Sequence, residues 1–149
     1  MVVAGVVALL AGILLGKYFK LTHQAPTVLS LSAQRCDLND STCQIRHADI
    51  AVELSLLPQP VPLLKPIIIQ GAVQGIAEIH RVHLEITGVN MDMGIQVVPL
   101  VIAPDSDHLT GHFQLPVCST KAMRWQAMLV IQTADGSYLF SFPFGTYLP

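Results

Sequence analysis

Seven side chains of this 149-residue sequence form a candidate constellation of soft-metal donors: Met91 and Met93 in the stretch GVNMDMG, His80 and His83 before it, and His112, Cys118 and Met123 after it. Thioether, thiolate and imidazole select Cu(I), whereas carboxylate-rich sets suit calcium or magnesium. Methionines two apart point the same way on an extended chain, and a turn can bring both onto one ion. Core methionines usually fill gaps singly. Here Gly88 and Gly94 flank a pair set between Asn90 and Asp92, which marks a turn that presents sulfur. The candidate ligand set is Met91, Met93, Cys118, His80 and Met123, with Cu(I) as the ion.

Each of these residues also has a packing reading. Met123 shares a strand face with Trp125 and reads as core. His83 alternates with charged residues and reads as solvated, as does His112 beside Phe113. His80 and His83 are three apart, so a regular strand sends them to opposite faces and at most one joins a given site. Cys118 is either a small buried hydrophobe or, as the odd thiol of three, a reactive group or ligand. For Met91 and Met93, packing and ligation stand level.

Catalytic patterns do not accompany these donors. There is no Gly-x-Ser-x-Gly elbow, no phosphate-cradling glycine loop and no His-Glu-x-x-His. Cys36 and Cys43 have six residues between them rather than the two of a redox pair. Glu78 and Glu85 sit among polar neighbours, which does not favour acid–base work. The chain is therefore read as a non-enzyme. Eight Lys and Arg are scattered along a chain of net charge -2, which argues against nucleic-acid binding.

The elements that must position the donors are strands. Ile50, Val52, Leu54 and Leu56 alternate with more polar residues, as do Val82, Leu84 and Ile86, and then Leu109, Gly111, Phe113 and Leu115. PQPVP, Pro58 to Pro62, breaks the chain because proline neither donates to a ladder nor continues a helix. Ile95 to Ile102 reads as one strand whose Pro99 demands an edge or a bulge. Met123, Trp125, Ala127, Leu129 and Ile131 share one face. Tyr138, Phe140, Phe142 and Phe144 share another, across a hairpin turn at Asp135-Gly136. The pattern predicts an all-β, immunoglobulin-like antiparallel β-sandwich of about seven strands over residues 45–149.

Ahead of it, residues 22–44 read as a polar tether leading into a cysteine loop, CDLNDSTC. Closure of that loop by a Cys36–Cys43 disulfide is expected only in an oxidising compartment. Residues 1–21 read as one transmembrane helix: Val2 to Gly16 has no charge and no proline, and Lys17, Tyr18, Phe19 and Lys20 form an interfacial end. Composition agrees, with 52% hydrophobic and only 12% charged residues. Lys17 and Lys20 favour a cytoplasmic domain by the positive-inside rule, while the cysteine pair favours the opposite side. The outward orientation is preferred, with a short basic leader expected upstream of Met1. A cleaved signal peptide fits less well, since no small-x-small site closely follows Gly16. Ala4, Ala8, Gly12 and Gly16 form a small-residue face, and such residues are common in membrane helices.

GVNMDMG followed some two dozen residues later by LPVCSTKAMRWQAMLVI resembles the small membrane-anchored extracytoplasmic domains of the FixH and YtkA-like kind, over roughly Ile79 to Phe144. The resemblance implies a single-pass inner-membrane protein with its domain in the periplasm. It also implies a role in cytochrome oxidase assembly or copper handling, copper held by Met91 and Met93 with Cys118, and oxidase subunits or copper chaperones as partners. Two other readings stand beside it: a non-metal protein-interaction module of the cell envelope, and a secreted binding domain released by signal cleavage.

Overall fold

The computed structural model describes residues 27–33, 35–104, 106–117 and 119–148. The expected membrane anchor and Cys118 lie outside the described residues. The described part is all-β with no helix, and consists of ten strands: β1 Thr27–Ser32, β2 Cys43–His47, β3 Ile50–Leu57, β4 Pro66–Gln74, β5 Arg81–Gly88, β6 Ile95–Pro99, β7 Val101–Ile102, β8 His108–Gln114, β9 Ala122–Gln132 and β10 Gly136–Tyr147. They form two five-stranded sheets. Sheet A has the order β1-β10-β9-β5-β6 and sheet B the order β2-β3-β4-β8-β7.

The alternation read from the sequence is the alternation of burial. Val82, Leu84 and Ile86 of β5, and Met123, Trp125, Ala127, Leu129 and Ile131 of β9, face the core from sheet A with Phe140, Phe142 and Phe144 of β10. Val52, Leu54 and Leu56, then Ile67 and Ile69, then Leu109 and Phe113 face it from sheet B. Burying each large aliphatic or aromatic side chain is worth about 1.5–3 kcal/mol, so the shared core holds the two sheets together. Trp125 lies opposite Phe144 with ring centroids 6.2 Å apart, and its indole N–H donates to the buried Thr146 hydroxyl at 2.9 Å.

Ten strands replace the expected seven: β2 follows the cysteine loop and pairs with β3 from Cys43↔Leu54 to His47↔Ile50, and the other two additions have two physical reasons. The stretch expected as a tether supplies β1, which pairs in parallel with β10 from Thr27↔Gly136 to Ser32↔Ser141. Its serines and threonine concealed an edge strand in which Leu31 packs against the core. Gly136 is required at this join, because a Cβ there would strike the Thr27 carbonyl. The second reason is Leu100, where the run Ile95 to Ile102 changes sheets. It splits into β6, paired with β5, and β7, paired with β8.

The β9–β10 hairpin forms one residue earlier than expected. Thr133 N–H donates to the Gly136 carbonyl at 2.9 Å, leaving Ala134 and Asp135 as the turn residues.

The cysteine loop is closed by the Cys36–Cys43 disulfide. It plugs one end of the sandwich: Leu38 is fully buried, its N–H donates to the Pro143 carbonyl, and the Asn39 side chain accepts from Val61 N–H at 2.9 Å.

Candidate functional site

The Met-Asp-Met turn joins β5 to β6. Val89 N–H donates to the Arg124 carbonyl, the Asn90 side-chain amide donates to the Ala122 carbonyl at 2.9 Å, and Asn90 Oδ1 accepts from Arg124 N–H at 2.8 Å. Asn90 therefore acts as a surrogate strand residue that seals the turn onto the start of β9. Asp92 Oδ1 accepts from Gly94 N–H at 2.9 Å, an Asx turn in which Gly94 takes φ +74°. These bonds account for the polar neighbours of the methionines without a ligand.

The turn does gather sulfur. Gly88 faces the core between the Met91 backbone and Met123, whose Cε lies 3.2 Å from where a Cβ would stand. Met91 packs against the core, Met123 is buried, and Met93 is 37% exposed. Cys118 falls outside the described residues, four positions before the Ala122 that Asn90 grips.

The histidines are elsewhere. His80 precedes β5, at the end remote from the turn, and the eight residues of β5 separate them by roughly 25 Å at about 3.3 Å per residue. His112 lies on the outer face of sheet B, opposite Ile68. The five-residue set Met91, Met93, Cys118, His80 and Met123 thus does not assemble as one copper site, because His80 is held away. Among the described residues no three His, Cys, Asp or Glu side chains converge as a metal site.

A different site assembles at that remote end. A cleft of about 620 Å³ is lined by Ile79, His80, Arg81, His83 and, from the β6–β7 crossing, Val97, Pro99, Leu100, Val101 and Ile102. His80 and His83 both line it. The expected separation onto opposite faces fails because His80 stands outside the regular strand, its N–H donating to the Gln132 carbonyl. Nor is His83 solvated. It lies between Val130 of β9 and Pro99 of β6, and its side chain is only 14% exposed. Its Nε2 is 3.1 Å from Glu85 Oε1, and its Nδ1 is buried with no hydrogen-bond partner among the described residues. The carboxylate can only accept, so Nε2 carries a proton and Nδ1 is the open nitrogen.

No family model, curated protein or solved structure matches this chain. Beside the cleft, Ile95, Val97 and Val101 are 64%, 57% and 65% exposed on the adjoining strands β6 and β7. The sequence marked an edge or a bulge here through Pro99, but not the exposed face or the cleft, because a β-branched run looks like buried strand.

Proposed function

We propose that this chain is a membrane-anchored, extracytoplasmic accessory protein whose immunoglobulin-like sandwich works by docking a partner rather than by catalysis. The observation that carries this reading is the bare β6 edge, with Ile95 and Val97 exposed on a strand that has no charged residue. Unguarded edges of this kind are templates for strand addition. The Cys36–Cys43 disulfide supports an oxidising compartment, and residues 1–21 supply the anchor. The resemblance to FixH and YtkA-like domains names the partner class, subunits or chaperones of a respiratory oxidase at the inner membrane.

The test is site-specific photocrosslinking of the full chain in its native membrane, with the reactive side chain at Val97 or, as control, at exposed Gln70 on sheet B. A discrete adduct at Val97, lost in the Ile95→Lys background and missing at Gln70, is the expected result. Equal labelling at both positions rejects the reading.

A second reading is favoured by the convergence of Met91 and Met123 at Gly88, with Met93 on the same turn: a Cu(I) contact made by thioethers alone, without His80. Cu(I) titration of the full chain tests it. Unchanged affinity in Met91→Ala/Met93→Ala removes the turn from any metal role.

A further inference from the structure

Sheet A ends in a step. β6 follows β5 from Thr87↔Ile95 to His83↔Pro99, and Leu100 N–H still donates to the Val82 carbonyl at 3.2 Å before the chain crosses into sheet B. Beyond Leu100 the start of β5 has no neighbouring strand on that side among the described residues, and the 620 Å³ cleft occupies the notch. The free edge of β6 therefore runs straight into the cleft.

The edge offers hydrogen bonds. Leu100 bonds toward β5, so by alternation Val98 and Gln96 do too, while Ile95 and Val97 turn their backbone groups outward and keep both N–H and C=O for an added strand. The other sheet is better guarded: its β2 edge carries Arg46 and His47, and its β7 edge is two residues long.

The cleft decides which end of a strand enters it. His80, Arg81 and His83 line it, and among the described residues no Asp or Glu does. Glu85, the carboxylate across from Val97, is engaged by His83 Nε2. Arg81 is exposed and carries a fixed positive charge, so it repels a chain's amino end and holds a carboxylate by charge-assisted hydrogen bonds. Val97, Val101 and Ile102 supply apolar wall for a side chain next to that carboxylate.

We infer that β6 and the cleft together bind the free carboxyl terminus of a partner polypeptide. The peptide adds as a strand parallel to β6, its terminal carboxylate beside His80, Arg81 and His83 and its apolar last side chain against Val97 and Ile102. This rests on the docking reading and names the chemistry of its partner.

Fluorescence anisotropy of the full chain in mild detergent tests it, with a labelled hexapeptide of alternating threonine and valine ending in valine, as free acid and as carboxamide. The acid binds about tenfold tighter or more. His80→Gln/Arg81→Gln, at two exposed positions, brings the acid down to the affinity of the amide. Val97→Pro removes an outward N–H without touching the β5 ladder and weakens both peptides. Ile95→Lys serves the same purpose should the proline variant fail to fold. Equal affinity of acid and amide overturns the inference, and if the Val97 crosslink persists the docking reading survives it. No saturable binding of either peptide up to about 1 mM also overturns it.

Discussion

The Met turn and the β6 edge are consecutive in the chain and opposite in character. The turn is rich in residues that do chemistry, yet its polar groups are spent on itself: Asn90 on Ala122 and Arg124, Asp92 on Gly94. The edge contains nothing reactive, yet among the described residues its outward N–H and C=O groups lack a neighbouring strand and its β-branched side chains stand exposed. Residue type alone pointed to the first region. Unmet bonding capacity points to the second, because what a folded surface can bind depends on what its own fold has not already satisfied.

The comparison breaks first if the turn is dispensable. Gly88→Val is expected to be the most damaging change, because the new Cβ strikes the Met91 backbone carbonyl and crowds Met123. Overpacking against backbone, which cannot rotate aside, costs about 3 kcal/mol. Urea denaturation followed through Trp125, the sole tryptophan, measures it. A loss under about 1 kcal/mol would mean that the turn is loosely seated and free to reshape around a ligand.

Asn90→Ala is next, at about 2 kcal/mol, since it abolishes two hydrogen bonds and leaves Arg124 N–H and the Ala122 carbonyl without their protein partner. The same titration reads it. Asn90→Asp sharpens the result: a carboxylate still accepts from Arg124 N–H but cannot donate to Ala122, so it should recover part of the loss.

How much of this was legible follows from the range of each interaction. Period-two alternation is local, so the core faces of β5, β8, β9 and β10 could be read directly, and the short cysteine spacing announced the loop closed by the Cys36–Cys43 disulfide. The bonds of Asn90 span 32 and 34 residues, and nothing near Asn90 announces its partners. An asparagine that clamps a turn and one that decorates a ligand site look alike in sequence. The sheet switch at Leu100 was half legible, through Pro99. β1 was hidden because its outward serines resemble a linker. The cleft was illegible, being built where β6 leaves β5 and carrying His80 on a segment whose phase no strand pattern sets.

Asp92→Ala should cost less than 1 kcal/mol, because Asx turns are local and Asp92 is exposed. It also separates the two readings of the methionines. If the turn contacts Cu(I), Asp92→Ala loosens Met93 and lowers affinity while stability barely moves. If the methionines only pack, neither quantity changes beyond a few tenths of a kcal/mol.

The smallest expected effect on stability belongs to Val97→Lys, and it is the most informative. Val97 is exposed on the outer face of sheet A directly opposite Glu85. A lysine there removes little buried surface and gains a cross-strand carboxylate, a pairing worth about 0.2–1 kcal/mol. The urea midpoint should therefore stay within about 0.5 kcal/mol of wild type. Binding should not survive, since a charged side chain on the edge opposes strand addition, the device that natural edges use against unwanted pairing. Asn90→Ala should do the reverse, lowering stability while sparing docking, because the turn lies at the far end of β5 from the cleft. If Val97→Lys instead unfolds the protein as Asn90→Ala does, the edge is held by its own fold and the contrast between the two regions disappears.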